Sequence, residues 1–202
     1  MLPPPYFFPY SQTDVEAFYI EAARQIAGPL FIYNLPTFTT PVETDIILRL
    51  VESVPNIVGV KDSSGSLDTL EALTKRSELS VCRMVGHDGV LCRALRMNSC
   101  DGAISGVAGV LPELIVPLFE CHQDGDASRF NFFREKLDEL LIQLDTFPAP
   151  WGLKVIAQYR GFFKAQFPLP LSEERVQQIR SFERWFDKWW QSLNQGLLAD
   201  AL

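Results

Sequence analysis

The chain contains the stretch V-G-V-K-D-S-S-G at residues 58–65, in which a short apolar run ends on a lysine. The stretch I-Y-N-L-P at residues 32–36 ends a second apolar run on a tyrosine. Folds that alternate strands and helices carry their reactive groups at the carboxyl ends of parallel strands. We therefore expect Lys61 and Tyr33 to lie close together, at the ends of neighbouring strands.

A lysine and a tyrosine in such positions suit carbonyl chemistry. Burial disfavours the charged form of an amine, and the free amine is the form that attacks a carbonyl carbon. A neighbouring phenol can move the protons that carbinolamine formation and bond cleavage require. Without further signals the simpler interpretation is preferred, in which Lys61 is a surface charge or pairs with Asp62 and Tyr33 packs in the interior.

The composition predicts one soluble, globular domain. The 202 residues are 47% hydrophobic, enough to bury a sizeable core, and they carry a formal charge of -7. This acidic balance, without a stripe of Lys or Arg, argues against a nucleic-acid partner. We expect no membrane partner and a cytoplasmic location, because no apolar run could span a bilayer and Met1 leads directly into prolines without a signal-peptide pattern.

No metal or other cofactor is expected. The cysteines show no C-x-x-C spacing, and only two histidines could supplement them as ligands. Reduced, partly buried thiols are the simpler interpretation and fit a cytosolic protein. The residues concerned are Cys82, Cys92, Cys100, Cys121, His87 and His122.

From residue 30 onward, short apolar runs alternate with amphipathic stretches, the pattern of parallel strands joined by helices. Their apolar residues are consecutive, as expected when both faces of a sheet are covered. Capping boxes are predicted at Thr13 with Glu16 and at Thr40 with Glu43, with Pro41 at a first helical position. Strands are predicted near 30–34, 57–61, 80–85 and 102–105.

After Gly125 the pattern changes to consecutive helices. One is predicted at Trp151–Tyr159, and the last begins at Ser172 with acidic residues in its first turn. This last helix has a crowded aromatic face, which we interpret as core or as a subunit interface. The face consists of Phe182, Trp185, Phe186, Trp189 and Trp190.

Five ordered strings go beyond this alternation, which by itself leaves a doubly wound sheet and a barrel equally open. They are P-P-Y-F-F-P at 4–9, I-Y-N-L-P-T at 32–37, V-G-V-K-D-S at 58–63, G-H-D at 86–88 and D-G-A-I-S at 101–105. Together they resemble the pyruvate-dependent class I aldolases of the dihydrodipicolinate synthase and N-acetylneuraminate lyase family. In its motifs the chain is most similar to the 2-keto-3-deoxygluconate aldolases of that family.

The resemblance implies an α/β fold and a division of the chain. Residues 1–125 would form the C-terminal part of a (β/α)8 TIM barrel, about strands four to eight, and residues 126–202 a C-terminal helical extension. A barrel of this type needs about 250 residues. The first three βα units are therefore expected to be absent, and we prefer truncation over a degenerate copy or a partner-dependent piece.

The resemblance also implies roles for the two reactive residues. Lys61, on the sixth barrel strand, would form a Schiff base with the keto carbon of pyruvate. Tyr33, on the fifth strand, would be the acid/base. No metal is required, and family members of this kind imply a homo-oligomer, a tetramer or a dimer, for which the aromatic last helix is a plausible contact.

Secondary contacts to the substrate are implied by the same resemblance. Gly86 and Asp88 match a loop that helps to hold substrate hydroxyls, although Asp88 is equally well interpreted as a helix cap. Ile104, with Ser105 beside it, matches the position whose backbone meets the pyruvate unit. Tyr6 lies in the matching segment of the fourth strand.

Two positions bear on the choice of substrate. Dihydrodipicolinate synthases have an arginine after the Y-N-x-P segment that binds a second carboxylate, and this chain has Phe38 there. Their tyrosine pair corresponds to Tyr6 and Phe7. We therefore predict an aldolase that cleaves or forms a 2-keto-3-deoxy sugar acid from pyruvate and an aldehyde. The alternatives are a 4-hydroxy-tetrahydrodipicolinate synthase and a truncated, non-catalytic family member.

Overall fold

A computed structural model describes residues 1–199 and shows an α/β chain with one parallel sheet. The strands are β1 (Leu30–Asn34), β2 (Ile57–Asp62), β3 (Cys82–Val85) and β4 (Gly102–Ala103). The helices are α1 (Gln12–Gln25), α2 (Thr44–Ser53), α3 (Asp68–Thr74), α4 (Asp88–Arg96), α5 (Pro112–Asp124), α6 (Ala127–Leu144), α7 (Trp151–Tyr159) and α8 (Glu173–Ala199). The predicted alternation of strands and helices is confirmed.

The four strands pair in sequence order, β1-β2-β3-β4, and every pair is parallel. One helix connects each strand to the next, so all carboxyl ends lie at the same edge of the sheet. The expected fourth barrel strand, in the segment before α1, is reduced to a single parallel bridge from Leu2 to Ile32. Three consecutive prolines follow Leu2, and a proline has no N–H to extend a ladder.

The core beneath the first half of the sheet comes from α1, α2 and the strands. Helix α2 turns an apolar face toward this core, because Ile46, Ile47, Leu50 and Val51 are all buried. Tyr19 of α1 is fully buried, and its hydroxyl donates to the carbonyl of Leu2 at 2.8 Å. Burial raises the pKa of Tyr19. This phenol therefore stays protonated and holds the first residues against β1.

The first helix begins earlier than the sequence predicted. Its N-cap is Ser11, whose hydroxyl accepts from the backbone N–H of Asp14 at 3.2 Å while the Asp14 carboxylate accepts from the Ser11 N–H. The capping box predicted at Thr13 with Glu16 is therefore wrong. Glu16 instead accepts two hydrogen bonds from Arg49 of α2, and these bonds lower its pKa.

The second helix begins later than predicted, at Thr44, after an N-cap at Glu43 that makes no side-chain bond. Thr40 is not its cap, because the Thr40 hydroxyl accepts from the backbone of Tyr10 at 3.0 Å. The N–H of Val42 is bound at 3.0 Å by the side-chain oxygen of Asn34. These two bonds hold residues 40–42 outside the helix.

The chain divides into two compact units, one from Met1 to Ser105 and one that begins at Gly106. The domain boundary expected after residue 125 stays a prediction about domain organisation. Helix α5, which that boundary groups with the strands, packs along α6 in the second unit.

The second unit is helical, and its interior includes the aromatic face of α8. Phe182, Phe186 and Trp189 are buried, and Phe182 also contacts Phe147 edge to face. Of the two interpretations of this face, core is the one that the structure shows for these three residues. An assembly contact through them would require the unit to open.

Candidate active site

Lys61 and Tyr33 meet at the carboxyl edge of the sheet, as predicted. They are register partners on the adjacent parallel strands β2 and β1. The Nζ atom of Lys61 lies 4.0 Å from the centroid of the Tyr33 ring. Lys61 is only 8% exposed, so its amine is held in a largely dry position against the electron-rich face of a phenol. That these residues are catalytic stays a prediction.

The simpler interpretation of the sequence paired Lys61 with Asp62. The structure shows no ion pair between these two residues. Successive residues of a strand point to opposite faces, which directs Asp62 away from Lys61. Its carboxylate, 2% exposed, accepts from the side chain of Asn34 at 3.1 Å and from the N–H of Ser64 at 2.7 Å. These donors satisfy a buried charge that would otherwise be costly.

Backbone hydrogen bonds also connect the ends of β1, β2 and β3. The N–H of Ser63 donates to the carbonyl of Asn34 at 2.9 Å, and the N–H of Gly86 donates to the carbonyl of Asp62 at 2.7 Å. The residues just after β1, β2 and β3 are thereby held together. Loops at this edge consequently start from fixed positions.

Gly86 supplies the space in which the lysine side chain lies. A Cβ atom on Gly86 would come within 2.7 Å of Cε of Lys61 and within 2.1 Å of Oγ of Ser63. Real Cβ atoms do not approach other heavy atoms so closely, so the side chains of Lys61 and Ser63 would both have to move. Gly86 was predicted as a substrate contact, which stays a prediction, and the structure adds this steric role.

Ser63 is a site residue that the sequence analysis did not single out. Its hydroxyl is buried and has no hydrogen-bond partner among the described residues. It lies beside Lys61, because both side chains occupy the space that Gly86 leaves open. The available signal was its position two residues after Lys61, which in an extended chain directs both side chains to one side. A buried hydroxyl without a partner is available to a bound molecule.

The loop after β3 carries the next two predicted positions. Asp88 is the first residue of α4 and does not cap it, so that interpretation is wrong. The cap is His87, whose Nδ1 accepts from the N–H of Gly89 at 3.2 Å. The Asp88 carboxylate in the first turn complements the positive end of the helix dipole. A contact between Asp88 and substrate stays a prediction.

The remaining predicted contacts lie at the two sides of this edge. The N–H of Ile104 donates to the carbonyl of Val85 at 2.8 Å, which continues the pairing of β3 with β4 and leads directly into Ser105. Both residues are half-buried. Tyr6 is exposed and forms an antiparallel bridge with Thr39 in the segment after β1. Substrate contacts through these three residues stay predictions.

Residues 1–199 contain neither a metal-ligand cluster nor a membrane-spanning helix. No three His, Cys, Asp or Glu side chains in this range are arranged to hold a metal ion. None of its helices combines the length and apolarity that crossing a membrane requires.

The four cysteines are thiols rather than disulfides, and burial, with a contribution from Asp101, raises the pKa of Cys100 to about 11. The Cys100 thiol is therefore a poor nucleophile near neutral pH.

A buried lysine beside a tyrosine at the carboxyl edge of a parallel sheet defines a candidate site for attack on a carbonyl group. The comparison with known families agrees with the predicted resemblance. The sequence model of the dihydrodipicolinate synthetase family matches residues 1–186. The chain belongs to this family, whose members are lyases and aldolases.

Three curated relatives illustrate the range of activities in the family. A DapA-like lyase of Halobacterium salinarum is 29% identical over 83% of this chain and 54% of its own. A 4-hydroxy-tetrahydrodipicolinate synthase of Archaeoglobus fulgidus is 26% identical over 89% of this chain and 63% of its own. The probable 2-dehydro-3-deoxy-D-pentonate aldolase YjhH of Escherichia coli is 29% identical over 67% of this chain and 46% of its own. The chain thus spans roughly half to three fifths of the length of these relatives.

Solved structures of the family share the fold. Dihydrodipicolinate synthase from Aquifex aeolicus superposes with a TM-score of 0.82 at 23% identity, over 93% of this chain and 64% of that one. Sialic acid aldolase from Ruminococcus gnavus superposes with a TM-score of 0.75 at 19% identity, over 95% of this chain and 65% of that one. At these identities the likeness concerns the fold alone.

The steric role of Gly86 leads to a prediction about stability. We expect Gly86→Ala to lower the free energy of unfolding by about 1–3 kcal/mol, because the added methyl group overpacks the space occupied by Lys61 and Ser63. Gly28→Ala is the matched control, since nothing lies within 4 Å of its Cβ position. It should change the free energy by less than about 0.5 kcal/mol. Urea denaturation followed by circular dichroism measures both, and equal effects would contradict the steric role.

Proposed function

We propose that this chain carries the imine-forming centre of a pyruvate-dependent class I aldolase. The observation that supports this most is the largely buried Lys61 amine, 4.0 Å from the ring of Tyr33 at the carboxyl edge of a parallel sheet. Membership of the dihydrodipicolinate synthetase family supports the same chemistry. Lys61 is the nucleophile and Tyr33 the acid/base in this proposal.

The reaction begins with attack of the neutral Lys61 amine on the C2 carbonyl of a 2-keto acid. The carbinolamine loses water and becomes a protonated imine, which withdraws electrons from the neighbouring carbon. Cleavage of the C3–C4 bond sends its electron pair into the imine and leaves an enamine. The C4 hydroxyl becomes the aldehyde as it gives its proton to the oxygen of Tyr33, and Tyr33 passes its own phenolic proton to C3 of the enamine. Protonation of the enamine at C3, followed by hydrolysis, releases pyruvate and regenerates the amine.

Ser63 supplies a hydrogen-bonding group next to the reacting atoms. Its buried hydroxyl has no partner among the described residues and shares the space beside Gly86 with the Lys61 side chain. An oxygen of the bound keto acid would satisfy it. Gly86, Asp88, Ile104, Ser105 and Tyr6 are proposed as further contacts at the same edge.

The fold proposal is that β1 to β4 correspond to the last four strands of a (β/α)8 barrel. The strands are parallel and pair in sequence order, as consecutive barrel strands do. The site lies at their carboxyl ends, where barrel enzymes carry their chemistry. The relatives are longer than this chain. That the chain belongs to a complete, active enzyme is therefore also a proposal.

The proposed substrate is a 2-keto-3-deoxy sugar acid, as the name of the Escherichia coli relative suggests. Phe38 occupies the place at which the synthases of the family would have an arginine, and it offers no charge to a second carboxylate. Phe7, next to Tyr6, has no hydroxyl for proton transfer. The main alternative is a 4-hydroxy-tetrahydrodipicolinate synthase, the name of the Archaeoglobus fulgidus relative. A non-catalytic family member is the second alternative.

A homo-oligomer is proposed through the segment of Tyr6, Phe7 and Phe8. The Phe7 ring contacts the rings of Tyr6 and Phe8 edge to face, and all three residues are exposed, Phe7 at 77%. Phe7 has a φ of 88°, a backbone conformation that costs about 1–2 kcal/mol for a residue with a side chain. Burial of this aromatic segment against a second copy would offset that cost.

A cytoplasmic location is likewise a proposal, checked by cell fractionation.

The imine chemistry has a direct test. With pyruvate and sodium borohydride, we expect mass spectrometry to find a reduced pyruvate adduct at Lys61, because reduction makes the imine permanent. Lys61→Met should abolish this adduct, and Lys75→Met, which removes an exposed lysine after α3, should leave it intact. Absence of the adduct from the unsubstituted protein would favour the non-catalytic alternative.

Tyr33→Phe separates imine formation from proton transfer during bond cleavage. We expect the variant to retain the pyruvate adduct and to lose about a hundredfold in the rate of cleavage of 2-keto-3-deoxygluconate.

The same cleavage assay, compared with condensation of pyruvate and aspartate semialdehyde, separates the two candidate enzymes. Faster turnover of aspartate semialdehyde would replace the sugar-acid proposal with the synthase.

The proposed interface is tested by sedimentation. We expect the protein to sediment as a dimer or larger species, and Phe7→Ser to shift it toward the monomer because less apolar surface is buried. Phe163→Ser, which changes an exposed phenylalanine elsewhere, is the control. A monomer at all concentrations would contradict the proposal.

A further inference from the structure

A cavity in the helical unit takes no part in the chemistry above. It has a volume of about 230 Å³ and is enclosed by α7, the segment 160–171 and the start of α8. All of these elements belong to the second unit of the chain. Since a water molecule occupies about 30 Å³, the cavity has the volume of roughly seven or eight waters and admits only a small molecule.

Aliphatic and aromatic side chains form most of the cavity wall. Val155 of α7 is buried, and Val176 and Ile179 of α8 are half-buried. The other apolar wall residues are Ala165, Phe167 and Leu171. An apolar group that enters this space leaves water and gains contact with several side chains, which favours its binding.

The segment 160–171 is bound to α7 by two hydrogen bonds. The N–H of Ala165 donates to Oε1 of Gln158 at 3.0 Å. The Nζ atom of Lys154 donates to the carbonyl of Gln166 at 2.8 Å. The cavity is therefore formed before a ligand enters, and binding requires little further ordering of the chain.

Two opposite charges on α8 complete the lining of the cavity. Arg180 and Glu183 both border it, and neither forms an ion pair within residues 1–199. Residues three apart on a helix have Cβ atoms about 5–6 Å apart, so these two side chains can bind the same small molecule. Gln158 also borders the cavity, and its amide N–H groups are further donors.

We propose that this cavity binds a free aliphatic α-amino acid such as leucine. The side chain of the amino acid fills the apolar interior. Its carboxylate binds Arg180 and the amide of Gln158, and its ammonium group binds Glu183. An α-amino acid carries both charges on one carbon atom, which matches two opposite charges one helical turn apart. A fatty acid or an alkylamine would leave one of these two charges unmatched.

Isothermal titration calorimetry of the whole chain with L-leucine tests this inference. Two analogues of leucine each lack one charge, 4-methylpentanoate the ammonium group and 3-methylbutylamine the carboxylate. Arg180→Gln and Glu183→Gln each remove one charge from the cavity lining. Arg184→Gln is the matched control, because it removes an exposed charge of α8 that does not border this cavity. Circular dichroism confirms that the variants are folded.

We expect one L-leucine to bind per chain, with an affinity that falls about fivefold in Arg180→Gln and in Glu183→Gln, since each loses one ion pair at the cavity entrance. Arg184→Gln should bind L-leucine like the unsubstituted protein, and both analogues should bind more weakly than L-leucine. Absence of saturable binding, or an affinity that neither lining substitution changes, overturns the inference. Equal affinity for 4-methylpentanoate and L-leucine also overturns it and assigns the cavity to a simple carboxylic acid.

Discussion

The hydrogen bond from Asn34 to Asp62 connects the carboxyl ends of β1 and β2, and the candidate site depends on it. Both side chains are buried, and the Asp62 charge is matched by donors from Asn34 and Ser64. A hydrogen bond to a charged group contributes about 1.5–3 kcal/mol, and breaking it would leave a carboxylate unpaired in the interior. The bond maintains the register in which Tyr33 stands opposite Lys61. A slip of one residue would place Lys61 on the opposite face of the sheet.

Asn34 also positions the segment between its own strand and the next helix. Its side-chain oxygen binds the N–H of Val42, so one amide connects two strands and the residues before α2. The loops of the site therefore start from fixed positions. Such an arrangement suits a reaction in which the amine must stay in place while substrates of different length approach from solvent.

The space beside Gly86 is a second constraint on the geometry of the site. Gly86 leaves room for the aliphatic part of Lys61, and the exposed side chain of His87 comes next along the chain. Because the lysine is surrounded by backbone and by a phenol ring, its amine is oriented by packing more than by charge. The buried hydroxyl of Ser63 is the exception, a polar group that the described residues leave without a partner.

Sequence patterns were sufficient to predict the four strands and the meeting of Lys61 with Tyr33. The strands follow from local patterns of apolar residues, and the meeting of Lys61 with Tyr33 follows from the general rule that parallel strands share one carboxyl edge. The starts of α1 and α2, the capping role of His87 and the unpartnered Ser63 were not predicted. They depend on partners distant in sequence, such as Arg49 for Glu16, or on competition between neighbouring side chains for one N–H. The sequence alone thus determined which residues could do chemistry, and only the tertiary structure decided which groups are buried, bound or able to meet a substrate, because burial and hydrogen bonding are properties of the packed chain.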